Sequence, residues 1–171
     1  MKLLYIGALL ALFLSYSCNA KDKDETLLAK TEKLLNSNLK LYPDSAFLSK
    51  NPKIITFVPD TGECARCQMM VYHWQMYKTD LDERNINCDF IFILNDSIKL
   101  YDDTSDLLNN YKLLYTSGLF KLYSLNNNIP IETFNTYLLD KNNNIKLVGN
   151  PVQNIDLWSL YRKKLKEINS L

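Results

Sequence analysis

The stretch Cys88-Asp89-Phe90-Ile91-Phe92-Ile93-Leu94 leaves the chain little choice of fold, because it is apolar at every position but one. A strand with one wet face alternates apolar and polar residues, so a run without alternation belongs to a strand that is dry on both faces. Strands of that kind sit inside parallel sheets, and such sheets need helices on both sides. The class is therefore α/β. At 171 residues the chain has room for one ordinary domain plus extras. A net charge of +1 and no basic run interleaved with aromatics give no electrostatic footprint for a nucleic-acid partner.

A second β-branched run, Ile54-Ile55-Thr56-Phe57-Val58, is ended by Pro59, Asp60 and Gly62. A helical pattern begins at Cys64 and Cys67, where a strand hands over to a helix. In a first helical turn that spacing sets the Cβ atoms about 5–6 Å apart, close enough to form a disulfide with small adjustment. Unpaired N–H groups and the positive dipole end stabilise a thiolate there, the reactive form of cysteine. Cys64 at the mouth is the expected attacking thiol, and Cys67, one turn inside, the resolving one. Two other chemistries fit the pair, an inert structural disulfide and metal ligation. Zinc wants four ligands, and the chain's one histidine, His73, lies nine residues from Cys64 and reads as an ordinary helix-surface residue. No metal site and no cofactor are expected. Cys88 alternates with Phe90 and Phe92 on a strand face and reads as a buried, inert thiol.

At the N-terminus, Lys2 and the apolar run Leu3 to Leu14 lead to Ser15-Tyr16-Ser17-Cys18, the pattern of a secretory signal peptide. The run is too short to span a bilayer as a permanent helix. Leu27, Leu28, Leu34, Leu35 and Leu39 form a helical stripe, so a spacer helix is expected over Thr26 to Leu39. Tyr42-Pro43-Asp44 and Asn51-Pro52 mark a polar link, and a domain is expected from about Lys53.

Beyond the cysteines, Cys67, Met70, Val71, Trp74 and Leu81 share one helix face, predicting a helix to about Arg84. Asp103 and Thr104 can cap a helix with stripe Leu107, Leu108, Tyr111, Leu114 and Tyr115, ended at Gly118. A short strand is expected within Leu119 to Leu125. Asn135 to Asp140, a turn over Lys141 to Asn144, and Ile145 to Val148 predict a hairpin. Asn154 caps a last helix with Leu157, Trp158, Tyr161, Leu165 and Ile168 inward. Its Arg162, Lys163, Lys164 and Lys166 complement the helix dipole. Trp74, Trp158 and the tyrosines on these stripes are expected in the core.

Strand, loop, Cys-x-x-Cys, helix, strand, helix, hairpin and terminal helix is the order of the thioredoxin fold. On Ile54 to Val58, Gly62-Glu63-Cys64-Ala65-Arg66-Cys67, Tyr137-Leu138-Leu139-Asp140-Lys141-Asn142 and Gly149-Asn150-Pro151, residues 53 to about 167 resemble the TlpA-like thioredoxin-fold lipoproteins of the bacterial envelope. The resemblance implies a central mixed β-sheet flanked by helices, preceded by a signal peptide and spacer helix. It divides the chain into a lipoprotein signal peptide at 1–17, a tether and spacer at 18–52, and a thioredoxin-like domain at 53–171. Ser15 to Cys18 resembles a lipobox, in which Cys18 is lipidated and the protein is held on an envelope membrane; a cut after Ala20 instead gives a soluble periplasmic protein. Lys21-Asp22-Lys23-Asp24-Glu25 is either an export tether or a solvated linker.

The implied activity is thiol-disulfide exchange with client proteins, in the reducing direction, through a redox-active Cys64–Cys67 disulfide and an electron donor. The rival is a non-catalytic thioredoxin-fold binding module with the cysteines permanently bridged. The chain departs from the family pattern around the site. Glu63 stands where thioredoxins have tryptophan and opposes a Cys64 thiolate, whereas Arg66 between the cysteines favours it. Phe134 occupies the place of the cis-proline that faces the disulfide, and the nearest proline is Pro130, within Ile129-Pro130-Ile131-Glu132-Thr133-Phe134. Glu132 is a solvated loop residue or a proton acceptor near the dithiol. Copper-delivery proteins of this fold use a wider cysteine spacing and a distant histidine, which disfavours that branch here. Thr61 is placed as in peroxiredoxins, but Phe57 stands where they have proline.

Overall fold

The structure is a computed structural model, and it describes residues 29, 31–40, 50–58, 69–95, 111–116, 126, 129 and 134–170. The chain divides into two compact units, residues 1–35 and 36–171. In the first, residues 31–34 are helical, with the Leu35 amide donating to the Thr31 carbonyl at 3.3 Å. Helix expected as far as Leu39 stops here, because Asn36 takes the left-handed conformation at φ 69°. In the second unit, residues 36–39 join the end of a hairpin. The Asn36 amide donates to Ile145 O at 2.7 Å, the Ile145 amide to Ser37 O at 2.8 Å and the Leu39 amide to Asn143 O at 2.9 Å. Partners at an open sheet edge outcompete continued helix.

The second unit is built on strands β1 (Lys53–Val58), β2 (Asp89–Asn95), β3 (Lys112–Thr116), β4 (Thr136–Leu139) and β5 (Ile145–Val148), with helices α1 (Val71–Glu83) and α2 (Ile155–Asn169). The sheet order is β3-β2-β1-β4-β5. β1, β2 and β3 run parallel, β4 is antiparallel to β1, and β5 is antiparallel to β4. The mixed sheet, the hairpin and the final helix stand where the sequence puts them. The all-apolar run lies in β2, with neighbours on both sides, and Ile91 to Leu94 are 0–2% exposed.

Residues 111–116 correct one expectation. The stripe through Tyr111, Leu114 and Tyr115 does not continue a helix; Lys112–Thr116 is the edge strand, paired in register from Ile91↔Lys112 to Asn95↔Thr116. A short apolar segment satisfies either period, and the open ladder of β2 decides between them. Gly118, the helix start at Asp103, the strand within Leu119 to Leu125 and the expected cover of the second sheet face fall outside the described residues.

One face of the sheet, carrying Ile54, Val58, Phe90, Phe92, Leu94 and Leu138, shares a core with α1 and α2. Trp74 is its hub, edge-on to Tyr77, Phe90 and Phe92 with each ring centroid 5.9 Å away. Tyr77 stacks on Trp158 at 4.0 Å and so joins the helices. The tyrosine hydroxyls keep polar partners: Tyr77 donates to Pro151 O at 2.8 Å and Tyr161 to Gly149 O at 2.7 Å. Both acceptors lie in the β5–α2 turn, where Gly149 has φ 111°, a conformation that favours glycine. On the opposite face Ile55, Ile91, Ile93, Tyr137, Leu139 and Ile145 are equally dry.

Candidate functional site

The three parallel strands end at one edge of the sheet, and in open α/β sheets that edge is where ligands and chemistry gather. β1, the central strand, ends there at Val58, 2% exposed. The described chain resumes at Met69, 1% exposed and part of the same core. Both ends of the stretch that carries the cysteines are therefore anchored in packed apolar structure. Cys64, Cys67, Glu63, Arg66 and Thr61 themselves lie outside the described residues, as do Cys18, Pro130 and Glu132.

Met70 is the departure in this region. It is left-handed at φ 47°, ψ 47°, so the helix expected to run unbroken from the cysteines to Arg84 is interrupted. Met69 is helical, and α1 begins afresh at Val71. The break turns Met70 out at 36% exposed and Met69 in, the reverse of the expected inward Met70, while Val71, Trp74 and Leu81 stay buried as expected. No side chain caps the start of α1; the His73 amide donates to Met70 O at 2.9 Å. His73 itself is half-buried.

Across β1, Phe134 is half-buried two residues before β4. The Phe57 amide donates to Asn135 O at 2.7 Å, continuing the ladder past Thr56↔Thr136 and bringing Phe134 beside the end of β1. The two threonine hydroxyls lie 3.3 Å apart, and Thr136 Oγ1 donates to Asn135 Oδ1 at 3.2 Å. Phe134 thus flanks the end of β1, from which the cysteine segment departs.

Cys88 lies at the other end of the sheet, just before β2. It is a free, half-buried thiol packed against the core. Burial and the neighbouring Asp89 charge push its pKa up, outweighing the Ile54 backbone contact and the charges of Lys53 and Lys78. A thiol held protonated is a poor nucleophile.

Asp80 on α1 is a tertiary hub that local patterns reveal only in half. Arg84 Nε donates to it at 2.8 Å, an i,i+4 pair visible in sequence; Trp158 Nε1 at 2.9 Å and Arg162 Nη1 at 3.1 Å reach it from α2. Burial raises the Asp80 pKa, but these hydrogen bonds and the Arg162 charge outweigh it and hold the carboxyl below its ordinary value. Asp140 behaves alike at the hairpin turn. Burial is outweighed there by hydrogen bonds from the Asn144 side chain and amide, the Asn142 amide and Lys146.

No protein-family model and no curated protein match the chain. Solved structures do. A SCO1/SenC family lipoprotein from Bacillus anthracis str. Ames is similar with a TM-score of 0.54 and 12% identity, over 71% of this chain and 83% of the other. BsSco, a member of the Sco family of cytochrome c oxidase assembly proteins, is similar with a TM-score of 0.51 and 13% identity, over 72% of this chain and 83% of its own. At these identities the likeness is one of fold: a mixed sheet flanked by helices, of the thioredoxin-like type.

Proposed function

We propose that this thioredoxin-like chain is an envelope thiol-disulfide oxidoreductase of the TlpA-like branch, working as a reductase through Cys64 and Cys67. The observation that carries the reading is the root of the Cys-x-x-Cys segment: it leaves the sheet at the C-terminal end of the central parallel strand and re-enters the core at Met69. The similarly folded BsSco contains a disulfide switch, which supports redox chemistry on this architecture. The other similar structure is a lipoprotein, which supports an envelope location with Cys18 as the lipidated residue.

In the proposed cycle the Cys64 thiolate attacks one sulfur of a client disulfide. The client S–S bond breaks, one client sulfur leaves as a thiolate and takes a proton, and a mixed disulfide remains. Cys67, deprotonated, attacks the Cys64 sulfur and expels the second client thiolate. Two electrons have passed to the client, and the Cys64–Cys67 disulfide is reduced again by a dithiol donor.

Insulin reduction with dithiothreitol tests the reading: the wild type accelerates precipitation and Cys64→Ser abolishes the acceleration. An undiminished rate in that variant overturns it. Phe134 beside β1, in place of the family's proline, favours the second reading, a binding module with a permanent bridge. Equilibration with glutathione buffers separates the two, since a structural bridge has a potential below about −300 mV. Fatty-acid labelling is expected for the wild type and lost in Cys18→Ala, and labelling that survives the change overturns Cys18 as the lipidated residue.

A further inference from the structure

A cleft of about 560 Å³ opens between the C-terminal end of α1 and the last three turns of α2. Its walls include Arg84, Arg162, Lys163 and Lys166, and among the described residues no carboxylate lines it. Asp80 takes Nε of Arg84 and Nη1 of Arg162, which fixes both guanidiniums while leaving other N–H donors of each unengaged among the described residues. Lys163 and Lys166 make no ion pair among the described residues; the nearby Glu167 is held by Lys164 at 2.6 Å.

Basic residues at the end of a helix ordinarily serve its dipole and its unpaired carbonyls. Here that work is done by other groups. At the end of α1, the Asn85 amide donates to Asp82 O and the Ile86 amide to Leu81 O, each at 3.0 Å, a Schellman closure around left-handed Asn85. At the end of α2, the Leu165, Lys166 and Glu167 carbonyls accept from Asn169 Nδ2, Ser170 N and Ser170 Oγ. The dipole of α2 also does not explain why Arg84, from another element, converges on the same space.

We propose that this cleft is a binding site for a multivalent phosphate group, carried by a soluble phosphate compound or by a lipid headgroup. The arginines supply planar paired donors suited to phosphate oxygens, and the lysines supply unpaired charge. A cleft of this size suits a small molecule. The site is independent of the dithiol chemistry.

Calorimetric titration of the full chain with inorganic pyrophosphate tests this, beside flotation with vesicles of phosphatidic acid, whose phosphomonoester headgroup is multivalent, in phosphatidylcholine. Saturable one-to-one pyrophosphate binding is expected, weakened at least tenfold in Lys163→Gln/Lys166→Gln and by added salt. These lysines are exposed, so the variant should keep the wild-type circular dichroism spectrum and melting temperature. Vesicle binding that pyrophosphate displaces assigns the phosphate to a headgroup, and pyrophosphate binding alone assigns it to a soluble compound. No saturable binding to either probe up to about 5 mM phosphate, or binding indifferent to the lysine changes, overturns the proposal.

Discussion

The two helices that share one core are specified in opposite ways. α2 carries its own instructions: the Asn154 side chain accepts from the Leu157 amide at 2.9 Å, Asp156 lies in the first turn and Lys166 in the last, and Trp158, Tyr161, Leu165 and Ile168 make one buried stripe. α1 starts without a side-chain cap, after a left-handed methionine, with no acidic residue in its first turn. What defines α1 lies outside it: three aromatic partners around Trp74, a stacked Trp158 on Tyr77, and two α2 side chains on Asp80. A helix near the candidate dithiol is thus positioned by its neighbours. The helix farther along the chain is positioned by local chemistry as well as by the core.

Truncating Trp74 to Ala removes the hub of α1 and should cost about 3–5 kcal/mol in urea unfolding. A cost no larger than that of losing the α2 cap would break the comparison. Asp80→Asn should cost about 1–3 kcal/mol at neutral pH, because its arginine partners lose a charged acceptor. The native Asp80 pKa is lowered from an ordinary 3.8, so its contribution is present above that value and lost as pH falls through the lowered one. The stability gap between wild type and Asp80→Asn should therefore close in acid; a gap that widens there would contradict the assigned ion pairs. Asn154→Ala should cost about 1 kcal/mol and speed exchange of the Leu157 amide. Met70→Gly should stabilise the fold by about 0.5–1 kcal/mol by relieving a left-handed residue whose side chain is partly exposed. A loss of stability on that change would mean that the Met70 side chain holds the break in place.

Much of the fold was legible because local pattern and global need coincide. The run through Cys88 to Leu94 announces an interior strand, and the asparagine-rich turn announces the hairpin, with Asn143 left-handed at φ 65°. The segment around Leu114 misled because five residues cannot separate a helical stripe from an edge strand, and only the free ladder of β2 settles it. The break at Met70 carries no sequence signal at all: neither glycine nor asparagine marks the left-handed position. Of the candidate site, the cysteine spacing was plain from the chain, while the approach of Phe134 to the end of β1 depends on pairing between residues 78 positions apart, Phe57 and Asn135. Arg162, Lys163 and Lys166 read as dipole complements and Arg84 as the end of a helix, and only their convergence makes a cleft.

The sequence by itself determined the α/β class, the dry interior strand, the hairpin and the capped last helix, since each rests on contacts within a few residues or on the burial its side chains demand. Tertiary structure decided where α1 begins, which edge residues became β3, and how Asp80, Trp158 and Arg162 meet. Those outcomes turn on competition between partners distant in the chain, and propensity within a segment is too small a free energy to settle such a contest.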